Sequence, residues 1–169
     1  IETIGTVTVI ASDKTGTLTK NQLTVQDVWQ APGSRSLMTA LEHAVNIQGS
    51  KNQDPLDTAM ERYIKTEYAS LAVSKPSIIL PFEQSVAMSG NIYESRGKLT
   101  LWAKGAPEHV IERCNLSEAV AKAANSQLHH YAGNGFRVIA LAHAPLTRPL
   151  ESLADLPAKA PFQFDGLIA

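Results

Sequence analysis

The sequence places a carboxylate, Asp13, directly after a β-branched, apolar stretch that predicts a buried strand. The seven residues that start at Asp13 also contain one cation, one glycine and three hydroxyls: Lys14, Gly16, Thr15, Thr17 and Thr19. Open α/β sheets bind ligands at the carboxyl ends of strands, where a carboxylate can be a metal ligand, general base or nucleophile. The cation and the hydroxyls can hold phosphate oxygens, and the glycine lets backbone amides approach an anion. The pattern therefore predicts phosphoryl transfer to Asp13, with Mg²⁺ offsetting the negative charges.

A second cluster lies much later in the chain, in the sequence KGAPE at residues 104–108. Lys104 ends a predicted strand, and Pro107 suits the first turn of a following helix. Gly105 allows another group to approach the backbone closely, and a helix N-terminus favours anions. These residues alone leave two interpretations open, which are an anion site and an ordinary turn between a strand and a helix.

Hydrophobic periodicity and turn signals predict the elements that carry these residues. Strands are predicted over residues 4–12, 23–29, 77–82, 86–94, 98–104, 136–144 and 162–169. Helices are predicted over residues 34–48, 54–68, 107–114 and 117–131. Asp54 suits the N-cap of the second helix and Pro55 its first position. The prolines from Pro145 onward predict a linker before the last strand.

Composition excludes several classes of protein. The chain has 169 residues and a formal net charge of −1, which argues against a nucleic-acid binder that works through a general basic field. Cys114 is the one cysteine, so no intrachain disulfide can form. No signal peptide and no apolar run long enough to span a bilayer occur, so we expect a soluble, cytosolic monomer. No GxxxxGK[ST] motif occurs, which disfavours a P-loop ATPase.

The string DKTGTLT at residues 13–19 matches, letter for letter, the phosphorylation signature of the P-type ATPases, and KGAPE matches the nucleotide-domain signature of the same pumps. The resemblance implies that Asp13 is the phosphorylated nucleophile, that Thr15 contacts phosphate and Mg²⁺ together with Asp13, and that Lys14 is a charge partner. Phosphatases of the wider haloacid-dehalogenase-like superfamily commonly carry a second Asp where this chain has Thr15. A hydroxyl is a poor proton acceptor near neutral pH, so the phosphoenzyme should persist, as a pump requires.

The resemblance also implies an adenine pocket. Asp57 would face the adenine amino group, although it could serve only as a first-turn acid of its helix. Phe82 would stack on the base, although it could instead belong to the core. Arg137 would reach the phosphates, although a surface salt bridge is the alternative. The other nucleotide contacts implied are Met88, Lys104, Gly105 and Ala106. Members of the family often carry a cation at the stretch 85–87, where this chain has none, so binding should depend more on Lys104 and Arg137.

The resemblance covers nearly the whole chain and implies an α/β (α+β) fold, an antiparallel sheet flanked by helices. Residues 1–24 would be the first piece of a haloacid-dehalogenase-like phosphorylation (P) domain, 25–148 the nucleotide-binding (N) domain, and 149–169 a linker and return strand. We expect a fragment that binds ATP or ADP but does not turn over. The rest of the P domain, the actuator domain and the transmembrane domain would complete a Mg²⁺-dependent cation pump in a bacterial plasma or inner membrane.

Two other functions stay open at this point. A free-standing phosphatase of the dehalogenase-like superfamily would need a downstream acidic metal motif, which this chain lacks. A non-catalytic interaction domain would keep the fold without a nucleotide response. No His-Pro dipeptide of the kind that heavy-metal pumps carry occurs, so the resemblance favours a type II or type III cation pump.

Overall fold

The computed structural model describes residues 22–34, 37–46, 54–67, 75–157 and 162–169. Asp13, Lys14 and Thr15 therefore lie outside the described residues. The elements in chain order are β1 (Val28–Gln30), α1 (Leu37–Ala44), α2 (Pro55–Glu67), β2 (Ile78–Glu83), β3 (Met88–Ser95), β4 (Lys98–Gly105), α3 (Pro107–Arg113), α4 (Glu118–Gly133), β5 (Ile139–Leu146), a 3-10 turn (Leu153–Asp155) and β6 (Gln163–Ile168). No helix among the described residues is long and apolar enough to cross a bilayer.

The strands form one six-stranded antiparallel sheet in the order β1-β6-β5-β4-β3-β2. This architecture confirms the predicted antiparallel sheet flanked by helices. β3 and β4 pair from Ser95 and Lys98 at the turn to Met88 and Gly105 at the far end. Arg96 and Gly97 close the turn with φ of 51° and 71°, the two positive values that a two-residue type I′ hairpin requires.

Local signals in the sequence fix the ends of the helices. The amide of Leu56 donates to Oδ1 of Asp54 at 2.7 Å, so Asp54 caps α2 as predicted. Ser117 caps α4 by accepting from the amide of Val120. Gly135, with φ of 76°, follows the end of α4 and supplies the left-handed conformation at which helices commonly stop.

The two faces of the sheet differ in what they carry. α1 packs on one face with α2 against it, and this polar face carries Ser89, Asn91, Trp102, Lys104 and His143. α3 and α4 cover the other, apolar face, whose residues include Ile92, Leu101, Ala103, Ala140 and Ala142. Successive strand residues point to opposite faces, so one set of strands can supply both layers.

The strand predicted over residues 162–169 is β6, which lies inside the sheet, hydrogen-bonded to both β5 and β1. The assignment of 149–169 to a linker and return strand stays a prediction. A single strand carries no sequence signal for its partners, which is why this pairing could not be predicted. β5 begins at Ile139 and continues through Pro145 to Leu146, so Arg137 precedes the strand. α1 is shorter than predicted, at Leu37–Ala44.

Candidate functional site

A cleft of about 770 Å³ opens at the end of the sheet where β4 ends and β5 begins. The turn before β3, the start of α3 and the first turn of α2 complete its wall. Six of the predicted nucleotide contacts line this one cleft: Asp57, Phe82, Lys104, Gly105, Ala106 and Arg137. These residues are spread over 80 positions of sequence, so the fold brings them together.

The cleft contains a buried ion pair between α2 and β4. The ammonium Nζ of Lys104 lies 2.7 Å from Oδ1 of Asp57, and both side chains are more than nine-tenths buried. The amide of Asn46 donates to the same carboxylate oxygen at 3.0 Å. Removing either partner of such a buried pair would leave an uncompensated charge in a low-dielectric site.

The C-terminal turn of α1 supplies the remaining contacts of this pair. Lys104 donates to the carbonyl of Ala44 at 2.7 Å. On the neighbouring strand, Nδ2 of Asn91 donates to the carbonyls of His43 at 2.9 Å and Val45 at 3.0 Å. The last carbonyls of a helix have no intrahelical donors, so side chains of the sheet satisfy them here.

Phe82 and Arg137 are two of the exposed residues of the cleft. The ring of Phe82, on the edge strand β2, is 65% exposed, which is unusual for a large apolar side chain unless it serves a binding surface. Arg137 lies in the exposed segment that precedes β5. An exposed aromatic face suits a flat ring, and an exposed guanidinium suits an anion.

The glycine of KGAPE has a role that the sequence did not suggest. A Cβ at Gly105 would lie 2.4 Å from the carbonyl oxygen of Ala87 and 2.6 Å from Cγ of Met88. The close approach that Gly105 allows is therefore, in this structure, an approach by the neighbouring strand β3. Met88 is 1% exposed and belongs to the core of the apolar face, so the structure places it beneath the cleft floor and not in the lining.

The arrangement suits a flat, partly apolar ligand that offers a hydrogen-bond donor. Pro81, Phe82 and Val138 provide apolar wall, and the carboxylate of Asp57 can only accept hydrogen bonds. Arg137 is the cation of the lining that is not paired with Asp57 and can contact an anionic group, while Asp54 and Glu108 add negative charge elsewhere in the lining. Within the described part of the chain, no group of three or more His, Cys, Asp and Glu side chains could hold a metal ion. The Mg²⁺ contacts predicted at Asp13 and Thr15 lie outside that part.

Sequence reasoning missed several residues of the site. The cleft lining also contains Asn46, Asp54, Ser89 and Glu108, and Asn91 lies directly behind Lys104 without reaching the lining. Asn91 did carry a signal, since asparagine is depleted in strands and a buried carboxamide needs partners. Asn46 carried none, because it binds Asp57 through its backbone amide.

A family model described as P-type ATPase, cytoplasmic domain N, matches residues 36–166. The chain is 25% identical over 170 residues to a probable plasma membrane ATPase of Dictyostelium discoideum, which covers 99% of this chain and 15% of that protein. It is 25% identical over 177 residues to calcium-transporting ATPase 1 of Lactococcus lactis, covering 87% of this chain and 20% of that one. A probable cation-transporting P-type ATPase of Mycoplasma genitalium is 27% identical over 148 residues, covering 84% and 17%.

The fold also matches a solved structure, the crystal structure of the N-domain of HMA8, a copper-transporting P-type ATPase. The TM-score is 0.51 at 16% identity, and the match covers 87% of this chain and 98% of that one. At this identity the likeness concerns the fold alone. The chain spans no more than a fifth of the length of the curated relatives that it matches.

Proposed function

Because the chain belongs to the family of P-type ATPase cytoplasmic N domains, we propose that its cleft binds the adenine nucleotide ATP or ADP. The observation that carries the proposal is the cleft itself, where an aromatic ring that is 65% exposed shares one cavity with a buried carboxylate–ammonium pair. The cleft volume of about 770 Å³ suits a ligand of nucleotide size.

Each group of the cleft has a role in this proposal. Phe82 stacks on the adenine ring, an interaction worth about 1–3 kcal/mol per base. Asp57 accepts a hydrogen bond from the exocyclic amino group of adenine. Guanine carries a carbonyl at that position, which cannot donate a hydrogen bond. Lys104 holds the carboxylate of Asp57 in place by its 2.7 Å contact and borders the base, together with Gly105 and Ala106. Arg137 contacts the phosphates from the rim.

The whole protein is, in this proposal, an ATP-driven cation pump. The names of the relatives, which are plasma membrane, calcium-transporting and cation-transporting ATPases, support it. Asp13 would receive the γ-phosphoryl group, with Lys14 as its charge partner and with Mg²⁺ held by Asp13 and Thr15. Domain closure would bring the nucleotide to Asp13, so the rest of the P domain, the actuator domain and the membrane helices are the partners within the same protein. The cleft would then face the cytoplasm.

Calorimetric titration of the 169-residue chain with ATP and with ADP tests nucleotide binding. Phe82→Ala removes the stacking ring and should weaken binding about tenfold or more. Phe136→Ala is the matched control, since Phe136 is the other large exposed aromatic among the described residues and lies outside the cleft lining. The proposal fails if the wild type does not bind millimolar nucleotide, or if the two variants lose affinity equally.

A second measurement addresses turnover. The proposal expects no ATP hydrolysis by the chain alone, because residues 1–24 hold only the first piece of the predicted P domain. Phosphate release by the wild type that Asp13→Asn abolishes would contradict this expectation and would revive the phosphatase alternative.

A further inference from the structure

We propose that Asn91 is a positioning residue of the nucleotide pocket, which it controls by fixing the C-terminal turn of α1. The inference rests on the proposed nucleotide binding and concerns a side chain that does not line the cleft. Its claim is that Lys104 and Asp57 are correctly placed only while Asn91 holds the backbone that both of them touch.

Asn91 is built into the sheet as a double donor. The side chain is buried on β3, where the residue is 1% exposed. Its Nδ2 group has two hydrogens, and these go to the carbonyls of His43 and Val45 at 2.9 Å and 3.0 Å. One acceptor, His43, belongs to the final turn of α1, and the other, Val45, directly follows the helix; carbonyls at a helix end lack intrahelical donors. The contact therefore joins the sheet to the end of the helix.

Lys104 and Asp57 contact the backbone at residues next to the two that Asn91 contacts. Lys104 donates to the carbonyl of Ala44, the residue between the two acceptors of Asn91. The next amide along the chain, that of Asn46, donates to Asp57. Four consecutive residues, 43–46, are thus held by three side chains, of which Asn91 alone stands outside the cleft lining.

The sheet register explains how a residue behind the pocket can act on it. Asn91 pairs with Trp102 and Ser89 pairs with Lys104, so Asn91 is the diagonal neighbour of Lys104 on the polar face. Loss of the carboxamide would leave the carbonyls of His43 and Val45 without a side-chain donor among the described residues, which the turn can relieve by moving towards water. The carbonyl of Ala44 would move with them. The ammonium of Lys104 would then lose one fixed acceptor, and the carboxylate of Asp57 would lose its alignment with the Asn46 amide.

The test compares Asn91→Leu with Ile92→Ala in the 169-residue chain. Asn91→Leu keeps the size of the side chain and removes both donors. Ile92→Ala is the matched control, because it creates a cavity in the next residue of β3, which is buried on the opposite, apolar face. ATP affinity is measured by calorimetry at a temperature where both variants are folded, and the ammonium ¹H–¹⁵N correlation of Lys104 is recorded without nucleotide.

We expect Asn91→Leu to weaken ATP binding about tenfold and to broaden or remove the Lys104 ammonium signal, whose persistence depends on fixed acceptors. Ile92→Ala should lower the thermal midpoint by at least as much as Asn91→Leu does. It should leave the ATP affinity and the Lys104 ammonium signal within twofold of the wild type. If Asn91→Leu does not fold, Asn91→Ala leaves room for water to reach the two carbonyls and should show the same changes to a smaller extent.

Three outcomes would overturn the positioning role, and they can be told apart. If the wild type binds ATP and the Asn91 variants bind within twofold of it, the positioning role is wrong while the proposed function stands. If the wild type does not bind ATP, the proposed function fails, and the positioning role fails with it. Equal losses of affinity in the Asn91 variants and in Ile92→Ala would also overturn the positioning role, because general loosening of the fold would then explain the effect.

Discussion

The two faces of the sheet differ in the polar and charged side chains that they bury. The apolar face packs residues such as Ile92, Leu101 and Ala103 against α3 and α4. The polar face buries Asn91, Lys104 and Asp57, together with Asp165, which lies 2.8 Å from Nδ1 of His143. The polar face is also packed, since Leu141 and Ile168 lie in a buried hydrophobic cluster with residues of α1 and α2. Hydrophobic stabilisation therefore acts on both sides of the sheet, but the buried Lys104–Asp57 pair that borders the cleft lies on the polar side.

The strongest test of this contrast is Lys104→Met on the polar face. The substitution leaves the buried carboxylate of Asp57 without its ammonium, and we expect unfolding to become easier by about 4 kcal/mol. Adding Asp57→Asn removes the unpaired charge and still offers the Asn46 amide an acceptor. Stability measured by urea unfolding should then return to within about 1 kcal/mol of the wild type, while calorimetry should show that nucleotide affinity does not return. Recovery of both would mean that the pair has no binding role.

Leu101→Ala makes the reciprocal change on the apolar face. Leu101 is fully buried, and its truncation should cost about 3 kcal/mol through lost burial and a residual cavity. Because no atom of Leu101 reaches the cleft lining, ATP affinity of the folded variant should be unchanged. A loss of affinity comparable to that of Lys104→Met would show that nucleotide binding does not depend on the polar face in particular.

Gly105→Ala tests the close contact between the end of β4 and the start of β3. The added methyl group would contact the Ala87 carbonyl at 2.4 Å, so we expect destabilisation of about 2 kcal/mol from overpacking. Gly133→Ala at the end of α4 has open space around its Cβ and should be neutral or stabilising by less than about 1 kcal/mol. Thermal unfolding of the two variants tests whether the fold itself requires a glycine at position 105, with Gly133→Ala as the control. An unchanged midpoint for Gly105→Ala would contradict the structural role.

Features that depend on neighbouring residues could be predicted from the sequence, whereas features that depend on residues far apart in the chain could not. Local signals predicted the cap at Asp54, the hairpin at Gly97 and the helix that begins after Ser117, because each depends on neighbouring residues. The place of β6 between β1 and β5 was not predicted, since strand partners leave no local trace.

The same limit applies to the site. The resemblance pointed to Asp57, Phe82 and Lys104, and the fold brings them into one cleft. It did not reveal that Asp57 and Lys104 bind each other, because the pair joins residues 47 positions apart. Met88 was predicted as a nucleotide contact, but strand alternation places it on the apolar face, beneath the cleft. Its assignment as a contact stays a prediction that the buried position does not support.

The smallest expected effect is a loss of stability at alkaline pH. It involves one tyrosine from each face of the sheet. Burial, and then the charge of Glu42, raises the pKa of Tyr93 on the polar face to about 12. Burial, and then the hydrogen bond to Asp27, raises the pKa of Tyr131 on the apolar side to about 12. The unfolded state ionises near pH 10 while the folded state does not. Stability is therefore complete below pH 10 and falls as pH rises from 10 to 12.

Urea midpoints measured across that pH range check the effect. Tyr93→Phe and Tyr131→Phe should each flatten the decline. At neutral pH, Tyr131→Phe should cost about 1 kcal/mol for its lost hydrogen bond. Tyr93→Phe should cost nothing, because among the described residues the buried Tyr93 hydroxyl has no hydrogen-bond partner. A decline that both variants leave unchanged would contradict the assignment to these tyrosines.

The most direct test of the account is an ATP titration of the ¹⁵N-labelled chain, followed by amide chemical shifts. The account predicts saturable shifts at millimolar ATP that cluster at the cleft end of the polar face, around Asp57, Phe82, Lys104, Gly105 and Arg137. Amides in the middle of α4, on the apolar side, should not move. An absence of shifts at millimolar ATP, or a cluster centred on α4, would contradict the claim that this cleft is the nucleotide site.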